Sequence, residues 1–119
     1  MTEKLTEIKC EACEGGVEPL DAGETWDLQQ STPDWSVSLT WIHSKPYSCI
    51  KREFKFDDFA KALKVVNKIG KIAENEGHHP DIEFGWGYVN VLLMTHAIGG
   101  LSKNDFIVAA KIDQIKGIK

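Results

Sequence analysis

The chain has 119 residues, 42% of them hydrophobic and 27% charged, a size and balance that fit one folded domain over residues 1–119 and exclude a disordered or low-complexity chain. A net charge of −4 argues against a nucleic-acid-binding surface, and no window approaches the roughly 18 apolar residues that a membrane span needs. Three cysteines, Cys10, Cys13 and Cys49, make no disulfide framework, and the first residues hold no apolar run that would read as a secretory signal, so a cytoplasmic setting is expected.

Residues 1–17 read as an irregular extension with a turn at Gly15-Gly16. A short helix is expected from Asp21 to about Gln30, because Asp21 followed by Glu24 has the spacing of a capping box. Thr32-Pro33-Asp34 breaks it. Trp35, Val37, Leu39 and Trp41 then alternate with Ser36, Ser38 and Thr40, the period of a strand. A connection over His43-Ser44-Lys45-Pro46-Tyr47 leads to a return strand in which Ile50, Arg52, Phe54 and Phe56 oppose Lys51, Glu53 and Lys55. One mostly apolar and one charged face is the pattern of an antiparallel sheet with one side in water.

A long helix follows. Asp57 or Asp58 caps it, Phe59, Ala62, Leu63, Val66, Ile69 and Ala73 recur at helical spacing, and Gly77 supplies a left-handed stop. Pro80 holds His79 in an extended backbone, so a histidine pair stands where the chain leaves a helix for a strand at 81–84. Gly85-Trp86-Gly87 is a turn. Residues 88–95 form a strand that is apolar on both faces, with His96 at its end. After Gly99-Gly100 a last helix begins at Ser102, where Asp105 completes a second capping-box pattern, and runs to about Lys116. The order α-β-β-α-β-β-α predicts an α+β fold, a single four-stranded antiparallel sheet with helices packed on one face. Apolar side chains on the sheet's other face suggest an oligomer.

The chemistry-bearing stretch is Glu74-Asn75-Glu76-Gly77-His78-His79-Pro80. Histidine, with an ordinary pKa of roughly 6.5, both gives and takes a proton near neutrality, so His78, His79 and His96 point either to proton transfer or to a metal. Adjacent residues of an extended segment point apart, which makes His78 and His79 poor partners on one ion. Cys10-x-x-Cys13 is a weak zinc signal, because a structural site needs four ligands; two reduced thiols is the preferred reading. His43 belongs to a solvated hairpin loop.

These residues closely resemble the pterin-4a-carbinolamine dehydratase family. Glu74 is followed after three residues by His78-His79-Pro80, after five more by Trp86, after nine more by His96 and after eight more by Asp105. Thr95-His96, Gly99-Gly100-Leu101-Ser102 and Asp105-Phe106 extend the likeness, as does the early Lys9-Cys10-Glu11-Ala12-Cys13-Glu14-Gly15-Gly16. Trp86 stands where many members have tyrosine. The resemblance implies removal of water from 4a-hydroxytetrahydropterin to give quinonoid dihydropterin, in tetrahydrobiopterin recycling after an aromatic amino acid hydroxylase. It implies no metal and no organic cofactor, a homodimer or homotetramer, and in some relatives a scaffold role. It also implies catalytic roles for His78, His79 and His96, and substrate contacts from Glu74, Pro80, Trp86 and Asp105.

The residues themselves suggest finer roles. His78 and His96 are an acid/base pair, while His79 binds the pterin and assists proton transfer. Glu74, one helical turn before His78, is spaced to orient that ring; Asp105 would do the same for His96 or bind substrate, or else only cap its helix. Trp86 reads equally as packing or as a wall for the pterin. The rival functions are a non-catalytic dimeric scaffold and a metal-binding protein.

Overall fold

A computed structural model describes residues 4–11 and 18–118; Cys13 and the Gly15-Gly16 turn lie outside the described residues. The elements are α1 (Ala22–Gln29), β1 (Ser36–Ile42), β2 (Lys45–Lys55), α2 (Phe59–Glu76), β3 (Asp81–Gly85), β4 (Tyr88–Leu93) and α3 (Lys103–Asp113), with 3₁₀ turns at Leu5–Glu7 and His96–Ile98. The four strands make one antiparallel sheet in the order β1-β2-β4-β3. This is the expected α+β arrangement.

Local chemistry accounts for the helix ends. Asp21 Oδ1 accepts from the Glu24 amide at 2.8 Å while the Asp21 amide donates back to Glu24 Oε1 at 3.1 Å, which starts α1. Asp58 caps α2 by accepting from the Lys61 amide at 2.8 Å. Gly77 ends it at φ 64°, a left-handed value that costs a residue without Cβ almost nothing. Ala62, Val65, Ile69 and Ala73 are the buried positions of α2. Val65 was absent from the expected stripe, and Phe59 and Leu63, which belonged to it, are exposed.

The first hairpin is longer and tighter than expected. Its turn is His43-Ser44 alone, both at positive φ (48° and 66°), and β2 begins at Lys45. Positive φ at both central residues is the turn whose twist matches paired strands. Pro46 is tolerated because it sits opposite Trp41, next to the Ile42–Lys45 pair that closes the turn, and β4 does not pair with β2 until Ile50.

The core lies between the sheet and the pair α2 and α3, built from Ile50, Phe54, Val89, Val91 and Leu93 of the sheet and Ala62, Ile69, Phe106, Val108 and Ile112 of the helices. Trp35 is wholly buried one residue before β1. Its indole N–H donates to Asp113 Oδ1 at 2.9 Å, where Arg52 Nη1 also arrives at 2.6 Å with its guanidinium 4.4 Å from the Phe54 ring centre. That clasp ties the end of α3 to the sheet.

The sequence alternation in β1 has a different outcome from the one expected. Val37 pairs with Ile50, so Val37, Leu39 and Trp41 continue the helix-facing side of the sheet, yet they are 43%, 54% and 66% exposed. The uncovered apolar strip is therefore on the helix side at the β1 edge rather than on the opposite face. The reason is reach: α1 buries no residue completely and leaves Trp26 exposed beside the same strip. Among the described residues, no helix is long and apolar enough to cross a membrane.

Candidate active site

The site is assembled where α2 ends, where β4 gives way to the 96–100 loop, and where α3 begins. Gly77 interrupts the helix, so His78 and His79 are not carried on the helical path that the Glu74–His78 spacing assumes. His78 turns to α3: its Nε2–H donates to Asp105 Oδ1 at 2.6 Å. His79 turns back along α2, and its Nε2 meets Glu74 Oε2 at 2.5 Å. The expected partnerships are thus exchanged. Glu74 orients His79 rather than His78, and Asp105 holds His78 rather than His96.

Asp105 is the hub. It is fully buried and accepts three donors. Beyond His78 on Oδ1, its Oδ2 takes the Thr95 hydroxyl at 2.8 Å and the Ser102 amide at 3.0 Å. The Ser102 hydroxyl lies 2.7 Å from Thr95 Oγ1; since Thr95 donates to Asp105, Ser102 donates to Thr95. A buried carboxylate is costly unless its lone pairs are filled, and here one side chain both caps a helix and grips an imidazole. The capping and functional readings of Asp105 are therefore not alternatives. The Ser102–Asp105 link is the expected capping box; Thr95 is the member of this network that sequence reasoning did not single out for it, and its adjacency to His96 was the available signal.

The two pairs differ in exposure. The His78 and Asp105 side chains are 12% and 0% exposed, against 59% and 78% for His79 and Glu74. His96 opens a 3₁₀ turn closed by the Thr95–Gly100 bridge and is exposed. It directly follows Thr95, which places it in the chain beside the Asp105 network. Pro80, half-buried, leads from His79 into β3.

Trp86 is not brought to this group. It is 72% exposed at the tip of the β3–β4 turn, six residues along an extended strand from Pro80, or roughly 20 Å. The residues 81–93 hairpin thus has histidines at one end and Trp86 at the other. His43 is exposed in the turn of the first hairpin. A broad hollow of about 1090 Å³ lies on the open face of the sheet, lined by residues such as Ser36, Lys51, Glu53, Asp81 and Asn90; it contains none of the histidines, so its size does not mark it as the reaction site. Among the described residues, no group of three or more histidine, cysteine or acidic side chains is placed to hold a metal ion.

Comparison with known proteins identifies the family. The family model described as "Pterin 4 alpha carbinolamine dehydratase" matches residues 18–115. A protein of Methylococcus capsulatus named "Putative pterin-4-alpha-carbinolamine dehydratase" is 43% identical over 93% of this chain and 92% of its own length. One of the same name from Aromatoleum aromaticum is 44% identical over 95% and 96%. Among solved structures, a "transcriptional coactivator/pterin dehydratase" from Brucella melitensis superposes with a TM-score of 0.69 at 27% identity, covering 84% of this chain and 100% of that one. A pterin dehydratase-like RuBisCO assembly factor of the alpha-carboxysome, at 23% identity and a TM-score of 0.56 over 72% of this chain and 93% of that one, shares the fold. With a family model spanning most of its length and relatives above 40% identity end to end, the chain belongs to the pterin-4-alpha-carbinolamine dehydratase family.

Proposed function

We propose that this protein is a 4a-hydroxytetrahydropterin dehydratase that works by histidine general acid/base catalysis, acting on the carbinolamine left by an aromatic amino acid hydroxylase. The observation that carries this reading is the buried His78–Asp105–Thr95 network. A solvated loop histidine has no need of a fully buried carboxylate.

The reaction converts an HO–C–N–H unit into C=N and water. The C–O bond breaks as the nitrogen lone pair forms the new π bond. The leaving oxygen takes one proton from an acid, and the nitrogen gives one to a base. Each such transfer by a positioned side chain is worth roughly 10²–10⁴ in rate. Asp105 occupies Nε2 of His78, which leaves Nδ1 as the nitrogen open to substrate; a carboxylate that fixes one ring nitrogen sets the tautomer and lets the other act. His96, on the neighbouring loop, is the second member of the acid/base pair. His79, held at Nε2 by Glu74 and open to water, binds the pterin and relays protons to solvent.

Assembly as a homodimer or homotetramer fits the same molecule. β1 is an edge strand without a charged residue, and its apolar strip is exposed; such an edge invites pairing. That strip also favours a second reading, a scaffold role alongside or in place of catalysis.

A stopped-flow assay with a hydroxylase-generated 4a-carbinolamine tests the proposal. The wild type should accelerate dehydration, and alanine at His78 or at His96 should cut turnover at least about tenfold with the fold intact. A chain that leaves the spontaneous rate unchanged would be a scaffold.

A further inference from the structure

The family match starts at residue 18, yet residues 4–11 are built into the molecule beside the site. Leu5 is buried in the core. Lys9 Nζ donates to the Asn75 carbonyl at 2.7 Å, and the Cys10 amide donates to Glu76 Oε1 at 2.9 Å. The Glu11 amide donates to Asn104 Oδ1 at 3.1 Å, while Asn104 Nδ2 returns a bond to the Glu11 carbonyl at 2.6 Å. The Cys10 thiol reaches the Asn104 carbonyl at 3.7 Å. Burial, followed by the charge of Glu76, pushes that thiol up to about 12, so it remains a neutral donor in this contact. Finally, Glu76 Oε2 accepts from Lys111 of α3 at 2.7 Å, a second tie between the two helices.

The placement of these contacts is selective. Residues 75 and 76 close α2 three and two positions before His78, and Asn104 immediately precedes Asp105. The segment bonds the Asn75 and Asn104 carbonyls and the Glu76 and Asn104 side chains, close in the chain to both members of the His78–Asp105 pair, and none of these contacts is to His78 or Asp105 itself. α2 and α3 also share core packing and the Glu76–Lys111 bond; a strap across the end of one and the start of the other would hold the 2.6 Å His78–Asp105 geometry against shifts of fractions of an ångström. Displacement of about 1 Å in a catalytic group costs up to roughly 10²-fold in rate.

We propose that residues 4–11 are a positioning strap for the His78–Asp105 pair, acting through Glu76 and Asn104 as positioning residues. This rests on the reading that His78 performs chemistry.

The test is a double-mutant cycle on the full chain with two readouts, steady-state dehydration kinetics and the ring resonances of His78 by NMR. Asn104→Ala removes the helix side of the contact, and Glu11→Pro removes one amide donor from the strap side while leaving α2 and α3 untouched. Each single variant should lower kcat by about 5–20-fold with KM within about twofold, and should shift the His78 ring signals; the double variant should be no slower than Asn104→Ala alone, because both break one contact. A fall in thermal stability with unchanged kcat and unchanged His78 resonances would overturn the proposal, as would effects that multiply. If Asn104→Ala fails to fold, Glu11→Pro alone carries the same two readouts. If instead His78→Ala leaves turnover unchanged, it is the catalytic reading that fails, and displaced His78 resonances in Glu11→Pro still decide whether the strap positions the ring.

Discussion

Two histidine–carboxylate pairs stand side by side in this molecule and were written by adjacent residues, yet only one is enclosed. In His78–Asp105 the carboxylate is fully buried and takes three donors, and the imidazole side chain is only 12% exposed. His79–Glu74 is open to water on both sides. In a low-dielectric setting a charge-assisted hydrogen bond is strong and its orientation fixed; at the surface the same pair is worth about 0–1 kcal/mol and is screened by salt. The difference teaches that proximity of histidine to an acid says little, and burial of the acid says much.

The contrast can be broken at its strongest point first. Asp105→Ala strands the His78 and Thr95 donors and the Ser102 amide, and removing one partner of a buried pair costs about 3–5 kcal/mol. We expect a clear loss in the urea midpoint together with near-complete loss of turnover. His78→Ala should separate the two effects, cutting turnover by roughly 10²–10⁴ while circular dichroism stays that of the folded chain.

Glu76 supplies an intermediate case. Burial pushes its carboxyl up, but hydrogen bonds from Lys111 and the Cys10 amide, with the charge of Lys111, outweigh that and hold it below the ordinary 4.5. Its folded value is depressed, so the stabilisation is complete above about pH 4.5 and is lost as pH falls through the folded value. Wild type should exceed Glu76→Gln by about 1–3 kcal/mol at pH 7, and the gap should close in unfolding curves taken toward pH 3. A gap that persists in acid would show that Lys111 is not its origin. The smallest effect belongs to the exposed pair: Glu74→Ala should change stability by less than about 1 kcal/mol, in low salt as in high.

The helix caps at Asp21, at one of Asp57 and Asp58, and at Ser102, and the order of elements along the chain, were legible because each rests on a local pattern. The partners of the histidines were not. Spacing of four links Glu74 to His78 only while the helix continues, and Gly77 at positive φ ends it one residue too soon. The sequence contains the glycine, but the direction the chain takes afterwards is decided by α3, a tertiary partner 27 residues away. Val37, Leu39 and Trp41 make a similar point. Alternation assigned them to one face, as found, but whether a helix covers that face depends on the length of α1 and on how α2 and α3 lie. The N-terminal segment looked irregular because its order comes from contacts with Asn75, Glu76 and Asn104, not from any period of its own.

The most direct measurement compares single-turnover dehydration rates in two charge-removing, shape-conserving variants, Asp105→Asn and Glu74→Gln. If the enclosed pair carries the reaction, Asp105→Asn should be slower than wild type by at least about 10²-fold, as expected when an imidazole loses the carboxylate that fixes its tautomer, and Glu74→Gln should stay within about threefold. Equal rates in the two variants, or a larger loss in Glu74→Gln, would contradict the account.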